Sequence, residues 1–384
     1  MNNRQRAMAV LNYESYDRLP VVHFGYWRET LEKWAGEGHI TQEEAKGWGD
    51  NNEHDVTIAR KLGFDFNWSN CFGVGTGLRP WFEEKVVETM DDGMEKVLNR
   101  DGVIVLRKKG ATSIPAEIDH LLKTRKDWEE HYKHRLVYHE DRVTESRTRV
   151  GDRMVRFDAG GSDHLCTGER EEPLGIFCGS LFGIIRDIVG VTGVSYMMME
   201  DPELYDEIIN TVGDLCYRCT KSVLETGAKF DFAHFWEDIC FKNGPLVIPS
   251  VFHEKVGPHY RRITDLCHQH GITVVSVDCD GCIDALVPTW VENGVNTMFP
   301  IEVGTWNASI APWREKYGKG LLGVGGMNKV VFSQDRAAID AEIERLKPLV
   351  DLGGYLPCPD HRIAPDGEWD NVQYYCERMR QVFG

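Results

Sequence analysis

Eight short apolar runs, each followed by a helix-forming stretch, constrain this chain more than any other feature. They begin near Leu19, Phe64, Leu174, Phe230, Ile272, Val295, Leu321 and Gly354. Short, β-branched runs bounded by turn residues read as buried parallel strands. The stretches between them carry helix punctuation. Asp201-Pro202 is an N-cap followed by proline at the first helical position, and Gly227, Gly271 and Asn293-Gly294 are C-terminal stops. Strands alternating with helices imply parallel pairing through right-handed crossovers. Eight such units predict an α/β fold, a closed (β/α)8 TIM barrel, as one domain over residues 1–384. An excursion over residues 81–160 interrupts the rhythm after the second strand. In it, Glu83–Met90 and Glu95–Asn99 flank the hairpin signal Asp92-Gly93, and Val103–Lys108 extends the meander. The charged stretch Lys126–Arg149 reads as a solvated helix or loop. An open doubly wound sheet is the competing architecture, but no G-x-G-x-x-G opens a helix. Gly73-Val74-Gly75-Thr76-Gly77 lacks that spacing and the P-loop lysine, so it reads as a flexible loop at the barrel mouth.

The fifth run, Ile272–Val277, ends abruptly in Asp278-Cys279-Asp280-Gly281-Cys282. Side chains alternate along a strand, so Asp278 and Asp280 share one direction and Cys279 takes the other. Two carboxylates at the carboxyl end of a buried strand need a cation, strong donors or water. That end is also where parallel α/β folds bind ligands. The other strand ends add His23 and Trp27; Asn67 and Trp68; His234, Trp236, Glu237 and Asp238; Glu302; Asn328 and Lys329; and His361 and Arg362. Asp278, Asp280 and His361, with Glu237 as a fourth, form an oxygen-rich set that suits zinc or a harder cation. Alternatively, these carboxylates pair with Arg362 or Lys329, or bind a substrate amine. Glu237, Asp238 and Glu302 are candidates for proton transfer. His23, Trp27, Asn67, Trp68, His234, Trp236, Asn328, Lys329 and Arg362 are candidates for substrate binding. Trp27, Trp68, Phe72, Phe235 and Trp236 gather near the expected mouth and suit a flat substrate.

Cys279 and Cys282 have C-x-x-C spacing, as do Cys216 and Cys219. The first pair lacks a thioredoxin-like setting and the second falls within one helical turn, so both read as packed thiols. The eleven cysteines are scattered through a large chain, which favours reduced thiols and a cytoplasmic location. A net charge of −17 argues against nucleic acid or an anionic membrane as a general partner. No apolar stretch approaches the roughly 18 residues of a membrane span. Homo-oligomerisation is left open.

Several motifs carry a family resemblance. They are Arg6-Ala7 with Asp17-Arg18-Leu19-Pro20-Val21, Trp236-Glu237-Asp238 with Asn243-Gly244-Pro245, Gly325-Gly326-Met327-Asn328-Lys329, and Pro359-Asp360-His361-Arg362-Ile363. With these, nearly the whole chain resembles the uroporphyrinogen decarboxylase superfamily, which includes cobalamin-dependent methyltransferases. The resemblance implies the TIM barrel. The arginine-rich segment by which the decarboxylases grip substrate carboxylates is replaced here by Val22-His23-Phe24-Gly25-Tyr26-Trp27-Arg28. The methyltransferase branch binds zinc through His-x-Cys after strand five and Cys after strand eight. At those places this chain has Asp278, Asp280 and His361, so the spacing is kept and the ligands are changed.

The resemblance therefore implies transfer of a methyl group from a small methylated donor, such as an aryl methyl ether, to the cobalt of a separate corrinoid (cobalamin) protein. A metal would assist the leaving group. Two other classes are an uroporphyrinogen-decarboxylase-like lyase acting on a smaller carboxylic acid without metal, gripped by Arg79, Arg186 and Arg362, and a non-catalytic barrel.

Overall fold

The computed structural model describes residues 1–108, 115–151 and 153–384. Nine strand segments surround the core: β1 Val22–His23, β2 Phe66–Asn67, β3 Cys71–Phe72, β4 Gly175–Gly179, β5 Phe232–Trp236, β6 Val275–Asp278, β7 Thr297–Ile301, β8 Leu322–Met327 and β9 Tyr355–Pro359. Strands β3 to β9 form one continuous parallel sheet, and β1 pairs with β2. The ring closes where Tyr26 bridges Ile363, with the Trp27 N–H donating to the Ile363 carbonyl and the Ile363 N–H to that of Gly25, both at 3.1 Å. β2 and β3 are two pieces of one barrel strand. β2 serves the first strand and β3 serves β4, with a kink between them. All eight runs thus become barrel strands, and the TIM barrel expected from their alternation is the fold observed.

The helices follow their sequence punctuation. In Pro202–Leu224, the Asp201 carboxylate accepts from the Leu204 N–H at 3.0 Å, and Leu204, Ile208, Val212, Leu215, Cys219 and Val223 form the buried stripe. Cys216 and Cys219 face inward on that helix, and all eleven cysteines are free thiols. Asp335 caps the helix Arg336–Val350 by accepting from the Ala338 N–H. His253 lies on the helix Pro249–Lys255, and His259 and His268 lie on the helix Gly257–Gln269.

The excursion holds a four-stranded antiparallel sheet, Lys85–Thr89, Met94–Leu98, Val103–Lys108 and Ala116–His120. The expected hairpin is present, with Gly93 at φ +80° in its turn. The fourth strand has no counterpart in the sequence reading. Residues 109–114 and 152 of the excursion lie outside the described residues. The charged stretch after it is not a solvated segment: Trp128, Tyr132, Leu136, Arg142 and Val143 are buried along it. Fully buried Arg142 explains both this and the glycine-rich loop. Its guanidinium donates to the Gly75 and Gly77 carbonyls, at 2.5 and 2.8 Å, and the Gly75 N–H returns a bond to the Arg142 carbonyl. The loop expected to be flexible is therefore pinned by a cation that carbonyl dipoles satisfy.

Strand alternation sorts the barrel's side chains into two sets. Phe24, Trp68, Phe232, His234 and Phe299 meet in the interior. Phe24 packs edge-on to Phe299 at 4.5 Å, and Trp68 stacks on Phe232 at 4.3 Å. Phe235 points outward and packs edge-on against Tyr260 of helix Gly257–Gln269. Phe72, also outside the mouth, packs on Phe157 and Phe230.

Candidate active site at the barrel mouth

The carboxyl ends of β5 and β6 bring Asp238, Asp278 and Asp280 together. One ligand oxygen from each lies within 4.8 Å of the others, and this is the one such group of potential metal ligands among the described residues. Asp278 ends β6 and is buried. Asp238 follows β5 with φ +47°, a left-handed backbone that costs a non-glycine residue about 1 kcal/mol. That backbone lets the Asp238 carboxylate accept from the Asp280 N–H at 3.0 Å. His361, after β9, reaches the cluster through Asp280, with its Nε2 3.1 Å from the Asp280 carboxylate. Glu302, after β7, is buried beside it and accepts from the Gly281 N–H and the Thr305 hydroxyl.

Burial and mutual repulsion shape the charge of this site. Burial, then the neighbouring Asp280, pushes the Asp238 carboxyl up to about 7. Burial, then Asp238 and Asp280, holds Asp278 well above the usual carboxylate range. Burial and Asp280 raise Glu302 as well. Lys329 is depressed by burial although Asp360, Glu302 and Asp280 favour its charge. Clustered carboxylates that cannot all ionise alone suit a divalent cation.

The donor set passes a fit test on this structure. The Asp280 Oδ1 and His361 Nδ1 atoms are buried without a hydrogen-bond partner, next to three carboxylates in reach of one another. No thiol joins them. Cys279 is buried with its sulfur accepting from the Ile239 N–H, on the far side from the aspartates. The set is oxygen-rich, which accommodates zinc and also harder cations.

This arrangement gives a pH signature. A carboxyl whose folded pKa is raised binds its proton more tightly in the folded chain, so it destabilises the metal-free fold once pH exceeds the unfolded value. For Asp238 the window runs from about pH 4 to about 7. Urea unfolding of chelator-treated protein should show stability falling by about 2–4 kcal/mol between pH 5 and pH 8. A flat profile would contradict the coupled acidic cluster.

The structure separates the sequence candidates. Asp238, Asp278, Asp280, Glu302, His361 and Lys329 converge. Trp27 stacks on His361 at 5.4 Å and 18°, and Trp236 ends β5 partly buried. His234 lies deeper in the barrel, its Nδ1 buried without a partner and its imidazole held neutral by burial, down to about 4. Trp68 is a floor residue, fully buried, with Nε1 3.4 Å from the Ser276 hydroxyl. Asn328 caps the turn that follows it through Val330 N–H. Arg362 sits at the rim, bound to Asp50 at 2.7 Å and lying over Trp48.

Three candidates lie elsewhere. Glu237 is not among the grouped carboxylates. It is one residue out of phase with the inward positions 232, 234 and 236, so it points into the helix layer. There it accepts from the Leu181, Phe182 and Gly183 N–H groups at 2.9, 2.9 and 2.7 Å and from the Tyr260 hydroxyl at 2.5 Å. It caps the helix Gly183–Val189 from below. His23 and Asn67 also face outward, for the same reason of parity. Asn67 donates to Asp55 of helix Glu53–Leu62, and His23 packs on Phe64 and Tyr26. Both line a cleft outside the barrel.

Asp360 was missed. It is 3% exposed and accepts from the Gly304 N–H at 2.7 Å and the Lys329 N–H at 3.1 Å, tying the loops after β7 and β8 to the site. Its signal was its place directly before His361.

The three arginines proposed as a carboxylate cradle do not converge. Arg79 pairs with Glu145 and Asp141, Arg362 with Asp50, and Arg186 with Asp187. No described helix is long and apolar enough to cross a membrane.

No curated protein matches the chain by sequence. Among solved structures, a methyltransferase from Methanosarcina mazei is similar, with a TM-score of 0.60 over 100% of this chain and 99% of that one, at 15% identity. At that identity the likeness speaks to fold. The sequence model of the uroporphyrinogen decarboxylase (URO-D) family matches residues 165–382, which carry β4 to β9 and every member of the acidic cluster. The chain belongs to the uroporphyrinogen decarboxylase family.

Proposed function

We propose that this protein is a corrinoid-dependent methyltransferase that removes the methyl group of a small methylated donor, an aryl methyl ether by class. The observation that carries the reading is the thiolate-free cluster Asp238, Asp278 and Asp280, with His361 at its edge, at the end of the barrel that binds ligands. A divalent cation held by these residues supplies positive charge against the oxygen that departs with the bonding electrons.

The chain's own residues do the rest. Trp27 and Trp236 offer flat apolar surface to a ring, and His361 is held in orientation by stacking on Trp27 and by Asp280. Glu302, outside the three grouped carboxylates and raised by burial and by Asp280, can hold a proton that a departing phenoxide takes. Lys329 adds a cation beside Asp360, Glu302 and Asp280. The methyl carbon would leave oxygen for the cobalt of a separate corrinoid protein, whose Co(I) would supply both electrons of the new bond, so no outside oxidant or reductant would be needed.

The lyase reading requires a cationic cradle, and its three arginines are dispersed among other partners. The test mixes the zinc-loaded protein with reduced cobalamin and a panel of methoxylated aromatics and methylamines, and follows methylcobalamin by absorbance. Methylcobalamin is expected with at least one methoxylated aromatic. A panel left wholly methylated would overturn the reading.

A further inference from the structure

His234 is a polar side chain in the barrel interior that the fold itself does not use. It stands on β5, two residues before Trp236 and four before Asp238, on the same inward face. Rings enclose its imidazole, Phe232 edge-on at 6.2 Å and Phe299 at 6.0 Å. Its Nδ1 is buried without a hydrogen-bond partner, and no described residue hydrogen-bonds to its ring. Ser276, its register partner on β6, has its hydroxyl engaged by Trp68. Burial alone sets its charge and keeps the ring neutral. A neutral imidazole carries one donor and one acceptor nitrogen, and leaving them unpaired in a buried place is costly.

The acidic cluster lies directly above this ring. Register puts Trp236 opposite Asp278 and His234 opposite Ser276, so His234 is one inward step below Asp278, about 7 Å along the strand. Phe24 joins the two levels, meeting Phe299 at 4.5 Å and His361 at 5.6 Å. Exposure marks how deep the mouth reaches. Asp278, Phe24 and His234 keep 8, 7 and 5% exposure, whereas Trp68, Phe232 and Phe299 keep none. The barrel wall surrounds these side chains and the stacked Trp68 and Phe232 close the floor, so the opening that touches His234 descends from the mouth. A methoxyarene with its ether oxygen at the aspartates and its ring against Trp236 would send its far edge down to His234. A hydroxyl on that edge both donates and accepts, as a neutral imidazole does. A carboxylate would find no cation at this depth.

We infer that His234 is a specificity residue that hydrogen-bonds a hydroxyl on the far edge of the donor's ring, so that the preferred donors are methoxyphenols with the hydroxyl meta or para to the ether. This rests on the proposed demethylation for its donor class but is tested separately by binding. The hydroxyl is a recognition handle and is unchanged in the product.

The test compares 3- and 4-methoxyphenol with 3- and 4-methylanisole, which put a methyl group in place of the hydroxyl, and with 2-methoxyphenol, whose hydroxyl stays beside the ether oxygen. Binding to full-length, zinc-loaded protein is followed by isothermal titration calorimetry, and demethylation by methylcobalamin. Wild-type protein should bind 3- or 4-methoxyphenol about 10- to 100-fold more tightly than the matching methylanisole. His234→Leu should erase that preference, raise the KM of the preferred phenol with little change in kcat, and leave the methylanisoles and 2-methoxyphenol unaffected. His234→Asn or His234→Gln, which keep an amide near one ring nitrogen, should recover part of the preference. His234→Leu should also be no less stable in urea than wild type, since it removes an unpaired polar group. Equal binding of methoxyphenols and methylanisoles by wild-type protein would overturn the inference without any variant. So would a loss in His234→Leu that is the same for the methylanisoles as for the phenols. Hydroxyl-dependent binding through His234 without demethylation of any donor would retain His234 and reject the methyl-transfer reading. Demethylation without preference for the hydroxyl would do the reverse.

Discussion

Replacing Asp278 with alanine should abolish metal binding and slow methyl transfer by about 1,000-fold or more. The carboxylate is buried at the end of β6, within ligand reach of Asp238 and Asp280. A Lewis-acid contribution of several kcal/mol to the transition state corresponds to that factor at 1.36 kcal/mol per tenfold. Elemental analysis should find one divalent ion per wild-type chain after reconstitution and almost none in Asp278→Ala. The variant should fold. It removes a buried carboxyl that repels its neighbours, so the metal-free variant at pH 8 should be at least as stable as metal-free wild type. An Asp278→Ala protein that retains full metal and activity would remove the acidic cluster from the mechanism. A variant that unfolds with or without metal would assign Asp278 a structural role instead.

The second large effect concerns a residue that sequence reasoning placed in the site. Glu237→Ala should destabilise the fold by about 3–5 kcal/mol, because three backbone N–H groups and the Tyr260 hydroxyl lose their shared acceptor in a fully buried position. Denaturant unfolding at fixed pH measures this. Glu237→Gln keeps one acceptor oxygen and should lose less. Where folded, it should retain methyl transfer within about tenfold, since the side chain faces the helix layer rather than the mouth. A stable Glu237→Ala protein, or a folded Glu237→Gln protein without activity, would reverse this assignment.

The contrast between Glu237 and Asp238 shows what was legible in the sequence. The barrel was readable because each strand run is apolar, short and closed by turn chemistry, and because parallel strands separated by helices have few arrangements. Asp278 and Asp280 were readable from parity, two positions apart at the end of an unbroken run. The same parity along Phe232, His234 and Trp236 selects position 238 rather than 237, and it turns His23 and Asn67 outward. Those assignments required knowing where each strand's inward face begins, and for β1 and β2 the paired segments are only two residues long. The kink between β2 and β3 and the pinning of the glycine loop by Arg142 arise from contacts between residues far apart in sequence. No local pattern encodes them.

Methyl transfer to cobalt is tested most directly with a donor carrying a trideuterated methoxy group, incubated with zinc-loaded protein and Co(I) cobalamin. The label should appear on cobalt in one-to-one stoichiometry with the free phenol, with the carboxylate of an acidic donor intact. Release of carbon dioxide with the labelled methoxy group untouched would contradict methyl transfer and favour the lyase reading.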